Sequence, residues 1–203
     1  MEIYLRATEI IDYETPAVRQ LASSLAGRDT EVVSVAKRCF EWVRDEIKHS
    51  NDYQMNPSTC TASEVLGHGT GFCYAKSHLL AALLRANGIA TGLCYQRLSC
   101  DGKGAPFVLH GLNAVYLPGM GWYRVDPRGN RHNVNAQFTP PVEQLAWPLA
   151  VEGEADLPEI WPDPLPMIVE VLRGYQTYEE VRDHLPDLPL VHGFGLTKEA
   201  TVR

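Results

Sequence analysis

The stretch Gly69-Thr70-Gly71-Phe72-Cys73-Tyr74-Ala75-Lys76-Ser77-His78-Leu79-Leu80-Ala81-Ala82-Leu83-Leu84-Arg85-Ala86-Asn87-Gly88 decides how this chain is read. Two glycines approach a cysteine, and Ala- and Leu-rich sequence then runs to an Asn-Gly stop. Ala and Leu are strong helix formers, and a glycine just past the last periodic residue is a common C-terminal signal. Leu79, Leu80, Leu83 and Leu84, with Ala75, Ala82 and Ala86, cover much of the circumference, which predicts a helix buried on most sides. Cys73 falls in its first turn. There the unpaired backbone N–H groups and the positive end of the helix dipole favour an anion, and so a thiolate. A cysteine so placed, on a helix too apolar to move, is a nucleophile candidate.

Composition sets the frame. With 203 residues, 45% of them hydrophobic and 21% charged, the chain is long enough for one sizeable core, and no low-complexity linker divides it. We therefore expect one domain over residues 1–203, with the site built from about 40–130. A net charge of -7 argues against nucleic acid or an anionic membrane surface as partner. The N-terminus lacks a long apolar region, and the longest apolar run, Leu79 to Leu84, is too short to span a bilayer. Five cysteines, an odd number, favour reduced thiols and a cytoplasmic location over a disulfide framework.

Along the chain, residues 2–11 begin with a short strand, and Pro16 opens a helix through Leu25 that Gly27 ends. Asp29 or Thr30 caps a second helix, in which Val32, Val35, Ala36, Cys39, Phe40, Val43 and Ile47 recur at three- and four-residue spacing. Cys39 lies on that stripe and reads as core. Residues 49–61 form a polar loop, and Ser63 to Leu66 a short helical turn. Strands are expected over Ile89–Leu98, Val108–Leu117 and Trp122–Asp126, the last two joined by a short turn and hence antiparallel. Gln144–Val151 reads as a strand, 152–166 as irregular, and Pro166–Gly174 and Thr177–His184 as two short helices before a tail.

A cysteine nucleophile needs a base, and the base needs a group to fix its tautomer. The predicted hairpin supplies both. His110 begins one strand and Asp126 ends the next, and in an antiparallel pair those ends are neighbours. Counted from the turn the match is approximate, so a bulge is allowed for.

These blocks together resemble the transglutaminase-like superfamily, the papain-related group that includes microbial transglutaminase-like proteases and peptide:N-glycanases. The blocks are Gly71-Phe72-Cys73 with its helix and Gly88-Ile89, then His110-Gly111-Leu112-Asn113-Ala114-Val115, then Gly121-Trp122-Tyr123-Arg124-Val125-Asp126-Pro127. One departure is Leu112, where the family often carries an aromatic residue. The resemblance implies an α+β papain/transglutaminase-like fold, its nucleophile helix packed against an antiparallel sheet that carries His and Asp. It also implies that Cys73 is nucleophile, His110 general base and acid, and Asp126 the orienting carboxylate. The expected chemistry is cofactor-free attack on a peptide or amide substrate through an acyl-thioester. Water then makes the protein an amidase or protease, and an amine acceptor makes it a transferase, as in arylamine N-acetyltransferases. A non-catalytic binding domain that keeps the fold is the reading from another class.

The oxyanion needs donors. The N–H of Cys73 is one, and Tyr53, Gln54 and Asn56 in the polar loop are open candidates for a second. Trp122 is a candidate substrate wall, although aromatic residues in strands more often simply pack. Cys60, His68, Cys73 and His78 lack the short paired spacing of a structural zinc site, so no metal is expected; His78 reads as a helix-face residue and His68 as a loop residue at the cleft mouth. Gly193-Phe194-Gly195 is too short for a nucleotide-binding pattern. Substrate identity and oligomeric state stay open, and specificity is assigned to loops 49–68, 99–107 and 128–165.

Overall fold

The computed structural model describes residues 1–189; the tail and Gly193-Phe194-Gly195 lie outside them. Helices α1 (Pro16–Ala26) and α2 (Val32–Glu46) open the chain. The strand expected within residues 2–11 is absent: Glu2–Tyr4 form one turn of 3-10 helix. Pro16 opens α1 and Gly27, at φ 61°, ends it, as its lack of Cβ allows. The cap of α2 is neither Asp29 nor Thr30. The Glu31 carboxylate accepts from the N–H groups of Val33 and Ser34, while Asp29 accepts from the Glu31 N–H.

The expected polar loop after α2 contains two small elements. Strand β1 (Lys48–His49) runs into the single helical turn α3 (Ser50–Tyr53). Helix α4 (Ala62–His68) follows, with Thr61 and Glu64 satisfying each other's backbone N–H in a capping box. Strand β2 (Thr70–Gly71) pairs in parallel with β1, Lys48 against Thr70 and His49 against Gly71. Pairs of this length carry no periodicity, which is why the sequence reads as loop here.

Helix α5 (Cys73–Ala86) then passes through the centre of the molecule. Every residue from Cys73 to Arg85 is buried, with α1, α2 and α4 against it and strands β3 (Thr91–Ser99) and β4 (Phe107–Leu117) on another side. Leu79, Leu80, Leu83 and Leu84 are fully buried, worth about 2 kcal/mol apiece in apolar area removed from water. Two cations on α5 are buried as well. Lys76 donates to the Ile47 and Arg44 carbonyls at the C-terminal end of α2, and Arg85 donates to the carbonyls of Thr91, Arg6 and Pro162.

The main sheet has the order β5-β4-β3-β6, all antiparallel, with β5 (Gly121–Val125) and the two-residue β6 (Ala155–Asp156) at its edges. The expected hairpin is present, with Asn113 opposite Val125. The strand expected over 144–151 is not. Gln144 makes a single bridge to Gln137, and the residues after it are irregular around Pro148. Helices α6 (Pro166–Gly174) and α7 (Tyr178–Asp183) close the described chain where the sequence places them. Among the described residues no helix is long and apolar enough to cross a membrane.

Candidate active site

Cys73 stands at the first residue of α5, after Phe72. Its N–H therefore has no acceptor within the helix. What brings the helix head against the sheet is Gly111: a Cβ there would lie 2.7 Å from Tyr74 Cδ1 and 3.2 Å from Tyr74 Cα. The Gly111 N–H donates to Cys73 Sγ at 3.4 Å, and the Tyr74 hydroxyl donates to the Leu109 carbonyl. Two bonds thus fasten the nucleophile candidate to both neighbours of His110.

The imidazole of His110 is buried beside both groups predicted for it. Its Nε2–H donates to Asp126 Oδ2 at 2.7 Å, which leaves Nδ1 unused by the carboxylate, and Cys73 lies near enough to help raise the ring's ionisation. No bulge is needed to make the pair. Continued by one residue, the β4–β5 register sets Asp126 opposite Leu112, and His110 follows two residues along the same face. That diagonal separation is within reach of a histidine and an aspartate. Burial alone would push the imidazole down; Asp126 and Cys73 outweigh it and raise His110 to about 10. Burial likewise opposes ionisation of Asp126, but His110 and the N–H groups of Arg128 and Ala146, at 3.0 and 3.2 Å, hold its carboxyl below the ordinary carboxylate value.

Cys73 and His110 open on a cleft of about 870 Å³, walled by residues including His49, Ser99, Arg131, Trp147 and Leu185. Its lining draws on 98–102, 128–131 and 147–150, within or beside the loops expected to carry specificity, and also on the C-terminal residues 182–185.

Four predicted site residues sit elsewhere. Tyr53 is exposed and lies beside the Lys48 ammonium, 5.3 Å from ring centre to Nζ; Gln54, at φ 53°, turns the chain away after α3. Asn56 accepts from the Tyr178 N–H at 2.7 Å and so helps to dock α7. None of the three lines the cleft, whose lining from this segment is His49 and Asn51. Trp122 packs edge-on against Tyr4 and Tyr116 in a separate cluster with Cys94, Leu112 and Ala114. The tryptophan at the cleft is Trp147.

His49 is the residue that sequence reasoning missed. Pairing of β1 with β2 fixes it beside Gly71, two residues before Cys73. Its ring packs edge-on against Phe72 at 5.5 Å, and its buried Nδ1 has no hydrogen-bond partner, Asp52 Oδ1 being 3.8 Å away. Burial, then Arg128, Lys76, His110 and Arg131, push its ionisation well below the ordinary histidine value. The only sequence signal was a histidine at the head of a polar loop.

The other thiols and imidazoles fall where packing puts them. Cys39 and Cys94 are buried, which raises each to about 12, and Cys100 is exposed. His78 is buried, with Nδ1 2.8 Å from the Cys60 carbonyl oxygen, and His68 ends α4 away from the cleft. Among the described residues no three His, Cys, Asp or Glu side chains are grouped as a metal would require.

The sequence profile of the transglutaminase-like superfamily matches residues 19–127, more than half of the chain. The chain belongs to the transglutaminase-like superfamily. The match reaches back through α2 into α1, beyond the stretch from about 40 that the motifs marked. A comparison with curated proteins finds no match. Among solved structures, the chain is similar to a candidate cysteine protease from Cytophaga hutchinsonii, at 18% identity and TM-score 0.46, over 62% of this chain and 40% of that one. It is also similar to the periplasmic domain of TgpA from Pseudomonas aeruginosa, at 20% identity and TM-score 0.45, over 61% of this chain and 45% of that one. The chain thus spans less than half the length of these structures.

Proposed function

We propose that this transglutaminase-like protein is a cysteine-dependent amide or peptide hydrolase acting through an acyl-thioester. The observation that carries the reading is the buried His110–Asp126 pair set on the strand whose Gly111 N–H reaches Cys73 Sγ, with Cys73 and His110 lining one cleft. In the resting site the Cys73 proton rests on His110 Nδ1, and Asp126 stabilises the imidazolium through Nε2–H. The sulfur attacks the substrate carbonyl carbon, and the C=O electron pair moves to oxygen. His110 then gives its proton to the leaving nitrogen as the C–N bond breaks, leaving an acyl-thioester. Water, deprotonated by His110, attacks the thioester; the S–C bond breaks, the acid is released, and the sulfur is left as thiolate beside the His110 imidazolium.

The oxyanion forms beside the head of α5, where the Cys73 N–H is one donor. His49 is the second in this proposal. It lines the cleft next to the helix head, and its lowered ionisation keeps the ring neutral, so that one nitrogen carries a donor proton and the other accepts. A neutral donor does not compete with His110 for the proton in transit.

The test is incubation of the full chain with a mixed peptide library and mass-spectrometric search for cleaved products. Products that vanish in Cys73→Ala support the hydrolase. Turnover only when a primary amine is added, with the acyl group found on that amine, replaces it with acyl transfer. The same product pattern from wild type and Cys73→Ala overturns the enzyme reading.

A further inference from the structure

The cleft has an uneven electrostatic lining, and the unevenness bears on substrate class. Three arginines and three carboxylates border it: Arg128, Arg131 and Arg182 against Asp101, Glu154 and Asp183. The carboxylates are engaged. Glu154 accepts from the N–H groups of Ser99, Ala150 and Val151, Asp101 from the Ser99 hydroxyl and the Lys103 N–H, and Asp183 from Arg182.

The arginines next to Asp126 are balanced differently. Arg128 donates two hydrogen bonds to Asp52, at 2.7 and 2.9 Å, and uses both carboxylate oxygens. Arg131 approaches that same carboxylate only to 3.5 Å and has half its side chain exposed. Its side chain has no other acceptor among the described residues. Two guanidinium groups thus share one carboxylate, leaving a surplus positive charge. Both planes lie near the Trp147 ring, at 5.4 and 5.9 Å from its centre, so the indole holds the arginines at the cleft wall. In a chain of net charge -7 this is a local reversal of sign, placed in the cleft that Cys73 opens on.

We infer that Arg131, set against Trp147 and short of a full partner, receives a carboxylate of the substrate, so that the preferred amide or peptide is an acidic one. The inference rests on the reading of Cys73 as the nucleophile. Arg131 acts here as a specificity residue: its planar fork offers paired donors that match a carboxylate, while Asp52 and Arg128 hold the wall in place.

Alkylation of Cys73 tests this without knowledge of the substrate. Iodoacetate carries the carboxylate and iodoacetamide is its neutral analogue, so the ratio of their rates at Cys73, divided by the ratio for free glutathione, reads anion recruitment alone. Removing a nearby cation also changes the ionisation of the sulfur, but that acts on both reagents and cancels. The His110 imidazolium is common to all variants and cancels between them. The full chain is labelled at slightly acidic pH and Cys73 is followed by peptide mass spectrometry. The ratio should fall about fivefold in Arg131→Gln and further in Arg131→Glu, as expected for losing and then reversing one charge near a partly exposed site. Arg131→Lys should keep most of it, and added salt should shrink it in the wild type. An unchanged ratio in Arg131→Gln and Arg131→Glu, with Cys73 still labelled rapidly by iodoacetamide, overturns the carboxylate site and leaves the hydrolase reading standing. Cys73 labelled by iodoacetamide no faster than glutathione takes down both.

Discussion

His110 and His49 are buried to nearly the same degree, 5% and 6% exposed, and they line the same cleft, yet their ionisation moves in opposite directions. Burial disfavours the charge in both. His110 meets a carboxylate at 2.7 Å whose other partners are backbone N–H groups. His49 stands 3.8 Å from a carboxylate already matched by the Arg128 guanidinium, and after burial it is Arg128 that pushes His49 down hardest. The lesson is that the presence of an aspartate beside a histidine decides little. What decides is whether the carboxylate's charge is still unmatched. One cleft thereby holds a charged imidazole able to donate its proton and a neutral one able only to hydrogen-bond.

Exchange of the deciding carboxylate should have the largest effect. In Asp126→Asn the imidazole loses both its counter-charge and its tautomer control, so turnover of any substrate found should fall about 10³- to 10⁴-fold. The His110 ionisation, followed by NMR titration, should drop well below about 10, because burial is then opposed by Cys73 alone. Near-normal turnover would remove Asp126 from the mechanism. On the other side of the comparison, His49→Ala should lower kcat about a hundredfold, the usual cost of one oxyanion donor. His110 should keep its raised ionisation in that variant, which separates loss of a donor from loss of the base.

The matched carboxylate is open to a stability measurement. Asp52 and Arg128 are 12% and 7% exposed at their side chains, so Asp52→Asn strands a nearly buried cation and should cost about 3 kcal/mol in urea unfolding. A change within a few tenths of a kcal/mol would show that the wall does not depend on this pair.

A smaller effect comes from pH. His110 is raised in the folded protein, so it binds more protons there than in the unfolded chain, and the folded state gains from it at low pH. The stability advantage of wild type over His110→Gln should be fully present below about pH 6.5, while Asp126 stays ionised, and should fade as pH climbs through about 10. Lys76, which burial lowers to about 7, is common to both proteins and drops out of the difference. Paired unfolding curves between pH 6 and 10 check this.

Much of this arrangement was legible in the sequence because it rests on strong local patterns. The Ala/Leu run from Ala75 to Ala86 has one interpretation, and the turn at 118–121 forces β4 and β5 into an antiparallel pair, so the closeness of His110 to Asp126 is legible from the sequence, with Cys73 at the helix head. The cleft wall was legible only in part. Loops read as its source, but nothing in a two-residue strand announces that it pairs, so the sequence points to Tyr53, Gln54 and Asn56 and does not mark His49. Trp122 stands out in sequence because it sits in a recognisable strand, while Trp147 lies in an irregular segment beside Pro148 whose path is set by contacts distant in sequence. Lys76 and Arg85 show the same limit from inside the core. Their burial is made possible by carbonyls of α2 and of residues 6, 91 and 162, which a helical wheel does not contain.

The central claim is that His110 activates Cys73 as the nucleophile, and alkylation by iodoacetamide tests that most directly. At pH 6.5 Cys73 should react about tenfold or more faster than Cys100, and His110→Gln should lose most of that excess. Cys100, whose thiol is raised by partial burial and then by Asp101 and Asp187, should react slowly and rise about tenfold per pH unit, as an un-ionised thiol does. A Cys73 rate no higher than that of Cys100, or one unchanged in His110→Gln, would contradict the account.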